Sequence, residues 1–303
     1  MHPRNRYARP YDLERLAEVV PALREYLRHT PDGRLTLDFA HADAVRHLNR
    51  ALLLGDYGLK FYDLPKEALT PAVPSRLDYV HVVADLLEGS RSRGNDVGER
   101  GAIRGLDVGT GASLVYPILG IREHGWRFVG TDVNEASLRA ARAVIDFNPV
   151  LKGKVELRRQ PKPARIFDGV IRPGERFAFT MCNPPFYESE QAAQTAAELK
   201  WRKLGRAVGQ GRNFGGQGAE LHTPGGEPRF LLAMIRESYR YREQVLWFTT
   251  LVSRDKYLKV AARGFRQKTS SRDAKLAWGP PRRRETVTLG TGAKTRRVLA
   301  WGW

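Results

Sequence analysis

The residues of this sequence best suited to chemistry are Asn183, Pro184, Pro185 and Phe186, which directly follow an apolar run ending at Cys182. Proline fixes φ near about −65°, so the two prolines stiffen the turn and can hold the Asn183 side-chain oxygen and the Pro184 carbonyl at a set separation. Two such acceptors suit a planar NH2 group, and the ring of Phe186 offers a face for base stacking, worth about 1–3 kcal/mol. The motif therefore predicts a catalytic site of Asn183, Pro184 and Phe186 that acts on an amine.

The amine of adenine is a poor nucleophile, because its lone pair is delocalised into the ring. Hydrogen bonds to two fixed acceptors would orient the amine and favour a pyramidal nitrogen, so that catalysis comes from positioning and electrostatics without a strong base. An adenine in paired RNA would first have to be unstacked. The amide of glutamine presents the same NH2 group, and a plain tight turn is the simplest alternative. The motif alone leaves these three interpretations open.

A second group of residues has the pattern of a nucleoside-cofactor site. The glycine-rich turn from Asp107 to Ser113 follows a predicted strand and precedes a predicted helix, where glycines let the backbone approach a ligand and free amides favour a carboxylate. Asp132 ends the next predicted strand, where a carboxylate can accept hydrogen bonds from both ribose hydroxyls. The residues predicted to bind the cofactor are Asp107, Gly109, Thr110, Gly111, Ser113 and Asp132.

The identity of that cofactor depends on the residues after the second glycine. A dinucleotide site prefers a third glycine near position 114, to make room for the pyrophosphate and for close packing of the first helix. Leu114 and Val115 stand there instead. This difference favours S-adenosylmethionine over a nicotinamide cofactor.

These residues need a scaffold, and the hydrophobic pattern predicts an α/β fold with a mostly parallel seven-stranded sheet. Helices are predicted over 135–147 and 227–241, and the last two strands are expected to form a hairpin at the sheet edge. The predicted strands are 103–108, 127–132, 155–158, 177–182, 245–252, 286–289 and 297–301. Asn183 then lies at the carboxyl edge of the sheet, where open α/β sheets bind ligands.

The chain before the sheet is predicted to be helical. Apolar residues recur at helical spacing over 11–28, 41–54 and 76–88, and the polar stretch from Gly89 to Ala102 is a candidate linker or exposed loop. We therefore expect an N-terminal helical extension over 1–102 and a catalytic domain over 103–303.

Two further segments are expected to be loops. Residues 188–226 are polar and rich in glycine, which suggests a substrate loop. Residues 263–284 hold eight basic residues against one acid and are expected to contact phosphates. A disordered insertion is the alternative for both.

The overall charge is strongly positive, with 51 Lys and Arg against 33 Asp and Glu and a net charge of +18. Such a surface attracts polyanions, and nucleic acid is the simplest partner. The single cysteine, Cys182, excludes an intrachain disulfide and a thiolate metal cluster, and is expected to be a buried small residue. No apolar stretch reaches the roughly 18 residues of a membrane span, and the start lacks a signal-peptide core. We expect a cytoplasmic, monomeric protein without a metal or membrane partner.

Together these motifs resemble the RlmF family, bacterial methyltransferases that make N6-methyladenosine in 23S ribosomal RNA, and more distantly a eukaryotic methyltransferase-like enzyme acting on spliceosomal RNA. The matching stretches are Met1 to Arg6, Pro74 to His81, Leu106 to Gly120, Cys182 to Phe186, Asn213 to Gln217, Gly225 to Glu227, Trp247 to Arg254 and Ala300-Trp301. They run through nearly the whole chain.

The resemblance implies a Rossmann-like class I methyltransferase that uses S-adenosylmethionine and acts on ribosomal RNA or a ribosomal-subunit assembly intermediate. It implies that Arg76 helps to hold the cofactor carboxylate. Asn183 is also expected to contact the cofactor. The residues that it implies contact RNA are Arg4, Arg6 and Arg9, with Tyr7 among them suited to stacking. The family usually has Glu where this sequence has Asp132, Gly89 to Ala102 looks like an insertion, and 263–284 matches poorly.

Three other functions remain to be compared with this one. A protein-glutamine N5-methyltransferase is disfavoured by the positive charge and the basic N terminus. A DNA adenine methyltransferase would be separated by comparing RNA and DNA acceptors. An RNA-binding protein without catalysis is disfavoured by the intact Gly109, Gly111, Asp132 and Asn183.

Overall fold

The part of the chain before the sheet forms three helices and a small hairpin. The computed structural model describes residues 1–99, 102–185, 187–189, 191, 195, 223–266, 279–291 and 294–303. The first elements are α1 (Leu13–Val19), the antiparallel strands β1 (Leu27–His29) and β2 (Leu35–Leu37), α2 (Ala42–Gly55) and α3 (Val73–Ser92). Their buried residues join the same apolar cluster as residues of the large sheet.

Two of the predicted N-terminal elements need correction. The helix predicted over 11–28 ends at Val19, because Val20 precedes Pro21 and leaves the helical region with φ −130° and ψ 90°. Pro21 instead begins a 3-10 helix that runs to Tyr26. Helix α3 is longer than predicted, and Gly89 lies within it, so the first four residues of the predicted loop Gly89 to Ala102 are its last turn.

The seven-stranded sheet confirms the predicted α/β architecture. Its strands are β3 (Arg104–Val108), β4 (Arg127–Asp132), β5 (Val155–Arg159), β6 (Phe177–Cys182), β7 (Val245–Val252), β8 (Arg283–Thr291) and β9 (Lys294–Gly302). The order is β5-β4-β3-β6-β7-β9-β8, with β3 to β7 parallel and the β8–β9 hairpin antiparallel. The predicted hairpin at the edge is present, with β8 as the edge strand.

Helices cover both faces of the sheet. Residues of α3, α4 (Val115–His124) and α5 (Glu135–Asp146) share one apolar cluster, whereas α6 (Gly226–Ser238) and α7 (Asp255–Phe265) contribute to a second. The predicted helix 227–241 is α6 followed by a 3-10 turn over Tyr239–Tyr241. The sheet is therefore a buried layer whose carboxyl edge is open for a site.

The segments 188–226 and 263–284, which were predicted to be loops, have end residues that belong to helices or a strand. Arg263 lies in α7, whose other face buries Ala261 and Phe265. Arg283 lies in β8 and stacks its guanidinium 5.3 Å from the ring centre of Trp247. Residues 267–278 and most of 188–222 lie outside the described residues, and Gly226 begins α6.

Candidate active site

The carboxyl edge of the sheet opens into a cavity of about 820 Å³. Because β3, β4 and β6 are parallel neighbours, the residues that follow them meet at this edge. Seven of the predicted site residues line the cavity, namely Arg76, Gly109, Thr110, Gly111, Ser113, Asp132 and Asn183. The structure therefore brings these seven residues together at one cavity.

The glycine turn has the backbone that its composition predicts. Gly109 and Gly111 have φ values of +72° and +61°, which residues with a Cβ rarely adopt. Leu114, fully buried, also has a positive φ of +50°. For a residue with a side chain this conformation costs about 1–2 kcal/mol. The turn that enters α4 is therefore strained at a position where a dinucleotide site would prefer glycine.

Asp132 holds the glycine turn in place. Its carboxylate accepts hydrogen bonds from the backbone N–H of Gly111 at 2.9 Å and of Asn134 at 2.8 Å. Burial raises the pKa of Asp132, while these N–H donors act in the opposite direction. The carboxylate lines the cavity and keeps further lone pairs for a ligand.

Asp107 lies beneath the turn and is 1% exposed. Neither of its carboxylate oxygens has a hydrogen-bond partner among the described residues, and the nearby Thr110 hydroxyl does not reach hydrogen-bonding geometry. Burial raises the pKa of Asp107 to about 7. An unsatisfied buried carboxyl is costly, so this group is poised to pair with a cationic ligand group.

Arg76 contacts both Asn183 and the first turn of α4, which follows the glycine turn. It lies in the first turns of α3, is 8% exposed, and donates from Nη1 to the Asn183 side-chain oxygen at 3.0 Å. The same Nη1 donates to the Tyr116 hydroxyl at 3.2 Å. The family resemblance placed Arg76 only at the cofactor. The contact of Tyr116 was not predicted, although Tyr116 lies just inside the helix after the glycine turn and within the matching stretch Leu106 to Gly120.

The end of β6 is held by buried contacts. The Cys182 N–H donates to the Tyr79 hydroxyl at 3.3 Å, and that hydroxyl shares a 2.6 Å hydrogen bond with the Thr249 hydroxyl. Cys182 is buried, as expected, and burial raises the pKa of its thiol, which keeps it protonated and unreactive. Tyr79 lies one helical turn after Arg76, so α3 contacts both Cys182 and Asn183.

The remaining residues of the predicted catalytic motif differ in their positions. Pro184 is buried, whereas Pro185 lines the cavity. Phe186 lies outside the described residues. Thr223, near the end of the predicted substrate loop, lines the cavity and donates its N–H to the Tyr187 carbonyl at 3.0 Å. The two ends of that segment therefore meet beside the site.

Another wall of the cavity was not predicted from the sequence. It includes Gln160 and residues 163–166 after β5, with Arg229, Phe230 and Arg236 from α6. The buried carboxylate of Glu237 accepts hydrogen bonds from the backbone N–H of Ile166 at 2.8 Å and of Phe167 at 2.6 Å. Pro161, Pro163 and the Asp168-Gly169 pair are the sequence signals of a turn in this connection.

The N-terminal arginines are not among the residues that line the cavity. Arg4 donates to the His81 carbonyl at 3.2 Å and forms an ion pair with Asp85. Arg6 forms an ion pair with Glu123 at 2.7 Å, and Arg9 is exposed. The expectation for Tyr7 was wrong: it is 7% exposed and donates to Asp56 at 3.0 Å, so its ring is not available for stacking.

Two other types of site are absent from the described residues. They contain no group of three or more His, Cys, Asp or Glu side chains arranged to hold a metal ion. None of the helices within the described ranges is long and apolar enough to cross a membrane.

Comparison with known proteins identifies the family. A family model described as RNA methyltransferase matches residues 1–303, the whole chain. The chain belongs to this RNA methyltransferase family. The methyltransferase is 42% identical over 303 residues to the ribosomal RNA large subunit methyltransferase F of Cronobacter sakazakii, with 100% of this chain and 93% of that relative covered.

Solved structures agree with this assignment. The methyltransferase matches the hMettl16 catalytic domain in complex with a MAT2A 3′UTR hairpin, at 29% identity and a TM-score of 0.78, covering 100% of this chain and 96% of the other. It also matches the N-terminal domain of human METTL16 in complex with SAH, at 25% identity and a TM-score of 0.71, covering 100% and 98%. With the strand order above, these neighbours establish the Rossmann-like class I methyltransferase fold.

Proposed function

We propose that this protein transfers a methyl group from S-adenosylmethionine to the N6 amine of an adenine in 23S ribosomal RNA. The observation that carries the proposal is the hydrogen-bonded placement of the Asn183 amide at a cavity also lined by the glycine turn and Asp132. Membership of the RNA methyltransferase family and the 42% identity to a ribosomal RNA large subunit methyltransferase support it.

The cofactor fits the cavity by its chemistry. The ribose hydroxyls pair with Asp132, and the carboxylate of the methionine moiety pairs with Arg76 and the amides of the glycine turn. Asp107, the buried carboxylate without a partner among the described residues, provides the negative charge that the cofactor ammonium requires. The wall of Gln160 and residues 163–166 remains for the adenine ring.

The acceptor adenine then enters beside Asn183. Its amine donates one hydrogen bond to the Asn183 side-chain oxygen and one to the Pro184 carbonyl, while Phe186 stacks on the base. Bound S-adenosylmethionine would supply an electrophilic methyl group to this nitrogen, with S-adenosylhomocysteine as the leaving product, and the amine proton would pass to water. Rate acceleration comes from positioning, since no strong base is required.

RNA is held by charge over a wide surface. We propose that residues 1–102 are an RNA-binding extension in which Arg4, Arg6 and Arg9 contact phosphates, and that residues 103–303 are the catalytic domain. The net charge of +18 supports a polyanionic partner, either the free ribosomal RNA or an assembly intermediate of the subunit. Residues 188–226 act as the substrate loop and the basic residues of 263–284 as phosphate contacts. A cytoplasmic monomer is the form in which we expect the protein to act.

The test is mass-spectrometric mapping of methyladenosine in ribosomal RNA from cells with and without the gene, followed by addition of purified protein to the unmodified RNA. We expect one N6-methyladenosine in 23S RNA to be lost without the gene and restored by the protein. DNA and protein glutamine are tested as alternative acceptors. Free ribosomal RNA is compared with precursors of the ribosomal subunit. An unchanged methyladenosine map would refute the proposal.

A further inference from the structure

Arg76 contacts the atom on which the proposed acceptor chemistry depends. Its Nη1 donates to the side-chain oxygen of Asn183 at 3.0 Å, and this oxygen is the proposed acceptor for the substrate amine. The two residues are 107 positions apart in the chain and come together only because α3 packs over the end of β6. The contact lies beside the cavity that both residues line.

An asparagine amide has two nearly isosteric orientations, of which only one presents the oxygen to an incoming amine. Arginine has five N–H donors and no acceptor, so it can stabilise only the orientation in which the oxygen faces it. The amide oxygen has two lone pairs, one for Arg76 and one for the substrate. Arg76 therefore excludes the flipped amide, whose NH2 group would repel the amine.

Arg76 is itself fixed. Its Nη1 also donates to the Tyr116 hydroxyl at 3.2 Å, and its guanidinium carbon lies 5.7 Å from the centre of the Tyr116 ring. Tyr116 lies in the first turn of α4, immediately after the glycine turn. The orientation of Asn183 is thus connected through Arg76 to the element that carries the cofactor.

We propose that Arg76 is a positioning residue for the acceptor as well as a cofactor contact, because it fixes the Asn183 amide with its oxygen available to the adenine amine. This inference rests on the proposed function. A contact with the cofactor alone would change the KM for S-adenosylmethionine, whereas the positioning role changes kcat at saturating cofactor.

The experiment compares R76Q with the wild type on unmodified RNA that the wild type methylates. The glutamine amide can donate or accept, so it no longer selects one orientation of Asn183. We expect kcat at saturating S-adenosylmethionine to fall about 10- to 100-fold, the size of effect typical of small errors in positioning. Affinity for 5′-methylthioadenosine, which lacks the carboxylate and ammonium groups, should stay within about twofold, in keeping with an intact adenosine site.

A second pair of variants separates positioning from a general loss of structure. N183D carries two equivalent oxygens and needs no choice of orientation, so R76Q should lower kcat less in N183D than in the wild type. R91Q makes the same substitution at the far end of α3, where Arg91 lies 3.6 Å from Glu88, and should leave kcat unchanged. Where R76Q loses 5′-methylthioadenosine binding, or where N183D is inactive, kcat and the KM for S-adenosylmethionine are measured for Y116F and R76K instead. Both should lower kcat.

An unchanged kcat with only a raised KM for S-adenosylmethionine in R76Q, or in Y116F and R76K where those are used, would overturn the inference. So would an equal loss of kcat in the Asn183 and N183D backgrounds. Absence of methyl transfer by the wild type to any RNA is a different result, since it would refute the proposed function itself. The wild-type measurement therefore separates the two failures.

Discussion

The carboxylate of Asp132 accepts a hydrogen bond from the backbone N–H of Gly111 at 2.9 Å, so the acidic residue at the end of β4 shapes the glycine turn after β3. This contact was not expected, because the sequence pattern assigned Asp132 to the ribose alone. One side chain therefore holds the turn and also lines the cavity. Substitution of Asp132 should therefore affect both the glycine turn and ligand binding.

We expect D132N to weaken binding of S-adenosylhomocysteine about 10- to 100-fold, because the amide has one acceptor atom where the carboxylate has two. Isothermal titration calorimetry gives the measurement. D132E keeps the carboxylate and is the matched control, with affinity expected within about fivefold of the wild type. Equal affinities of wild type and D132N would show that Asp132 does not bind the ribose.

Asn183→Ala should remove methyl transfer while cofactor binding stays nearly intact. The loss should be at least about 100-fold in kcat, since a preorganised acceptor at the reacting nitrogen is removed. Single-turnover assays with radiolabelled cofactor measure the transfer, and calorimetry with S-adenosylhomocysteine measures the binding. Full activity of this variant would disprove the two-acceptor mechanism.

Asp107 should make stability depend on pH. Burial raises its pKa in the folded protein to about 7, so folded molecules retain a proton that unfolded chains release between about pH 4 and pH 7. Stability therefore falls as the pH rises through this window, by at most about 4 kcal/mol. D107N does not ionise and should show a smaller fall.

Urea unfolding of both proteins between pH 5 and pH 8, without cofactor, measures this difference. D146N, a substitution of an exposed aspartate, should follow the wild type. The cofactor ammonium should pair with ionised Asp107, so that affinity for S-adenosylhomocysteine rises from pH 6 to pH 8 in the wild type and less in D107N. Parallel unfolding curves for wild type and D107N would contradict this role.

Arg6 and Arg9 should differ in their effects on stability. R6A removes a partner of Glu123, whose side chain is 14% exposed, and should lower the free energy of unfolding by about 1 kcal/mol. R9A changes an exposed residue and should leave stability unchanged.

Both variants should bind RNA more weakly, and the slope of log affinity against log salt should decrease by about 0.7–0.9 for each phosphate that the variant no longer neutralises. Fluorescence anisotropy at several salt concentrations measures the RNA affinity. Slopes equal to that of the wild type would show that these arginines do not contact RNA phosphates.

Much of the fold could be predicted because buried parallel strands are encoded locally. The runs that became β4 and β6 match their predicted bounds of 127–132 and 177–182, since each is a short apolar segment bounded by turn residues. The prediction over 11–28 was wrong because helical spacing continues past Pro21, whereas the backbone does not. The local hydrophobic pattern predicts the bounds of an element correctly where the tertiary contacts favour the same structure.

The contacts within the site could not be predicted in this way. The Arg76 to Asn183 hydrogen bond depends on how α3 packs over the sheet, and no spacing in the sequence encodes that geometry. The left-handed backbone of Leu114 is also unexpected from its residue type, because buried packing outweighs local preference there. The family resemblance named Arg76 and the motif named Asn183, but the contact between them is visible only in the structure.

The wall anchored by Glu237 is built separately from the acceptor side of the cavity. Ile166 lines that wall, and the carboxylate of Glu237 fixes its backbone through the N–H, so the position of the chain does not depend on the Ile166 side chain. Truncation of Ile166 to alanine would enlarge the cavity on this side while Arg76 and Asn183 keep their contact. With the adenine ring placed at this wall as proposed, the Ile166 truncation is expected to let the enzyme accept S-adenosylmethionine analogues with bulkier groups on that ring.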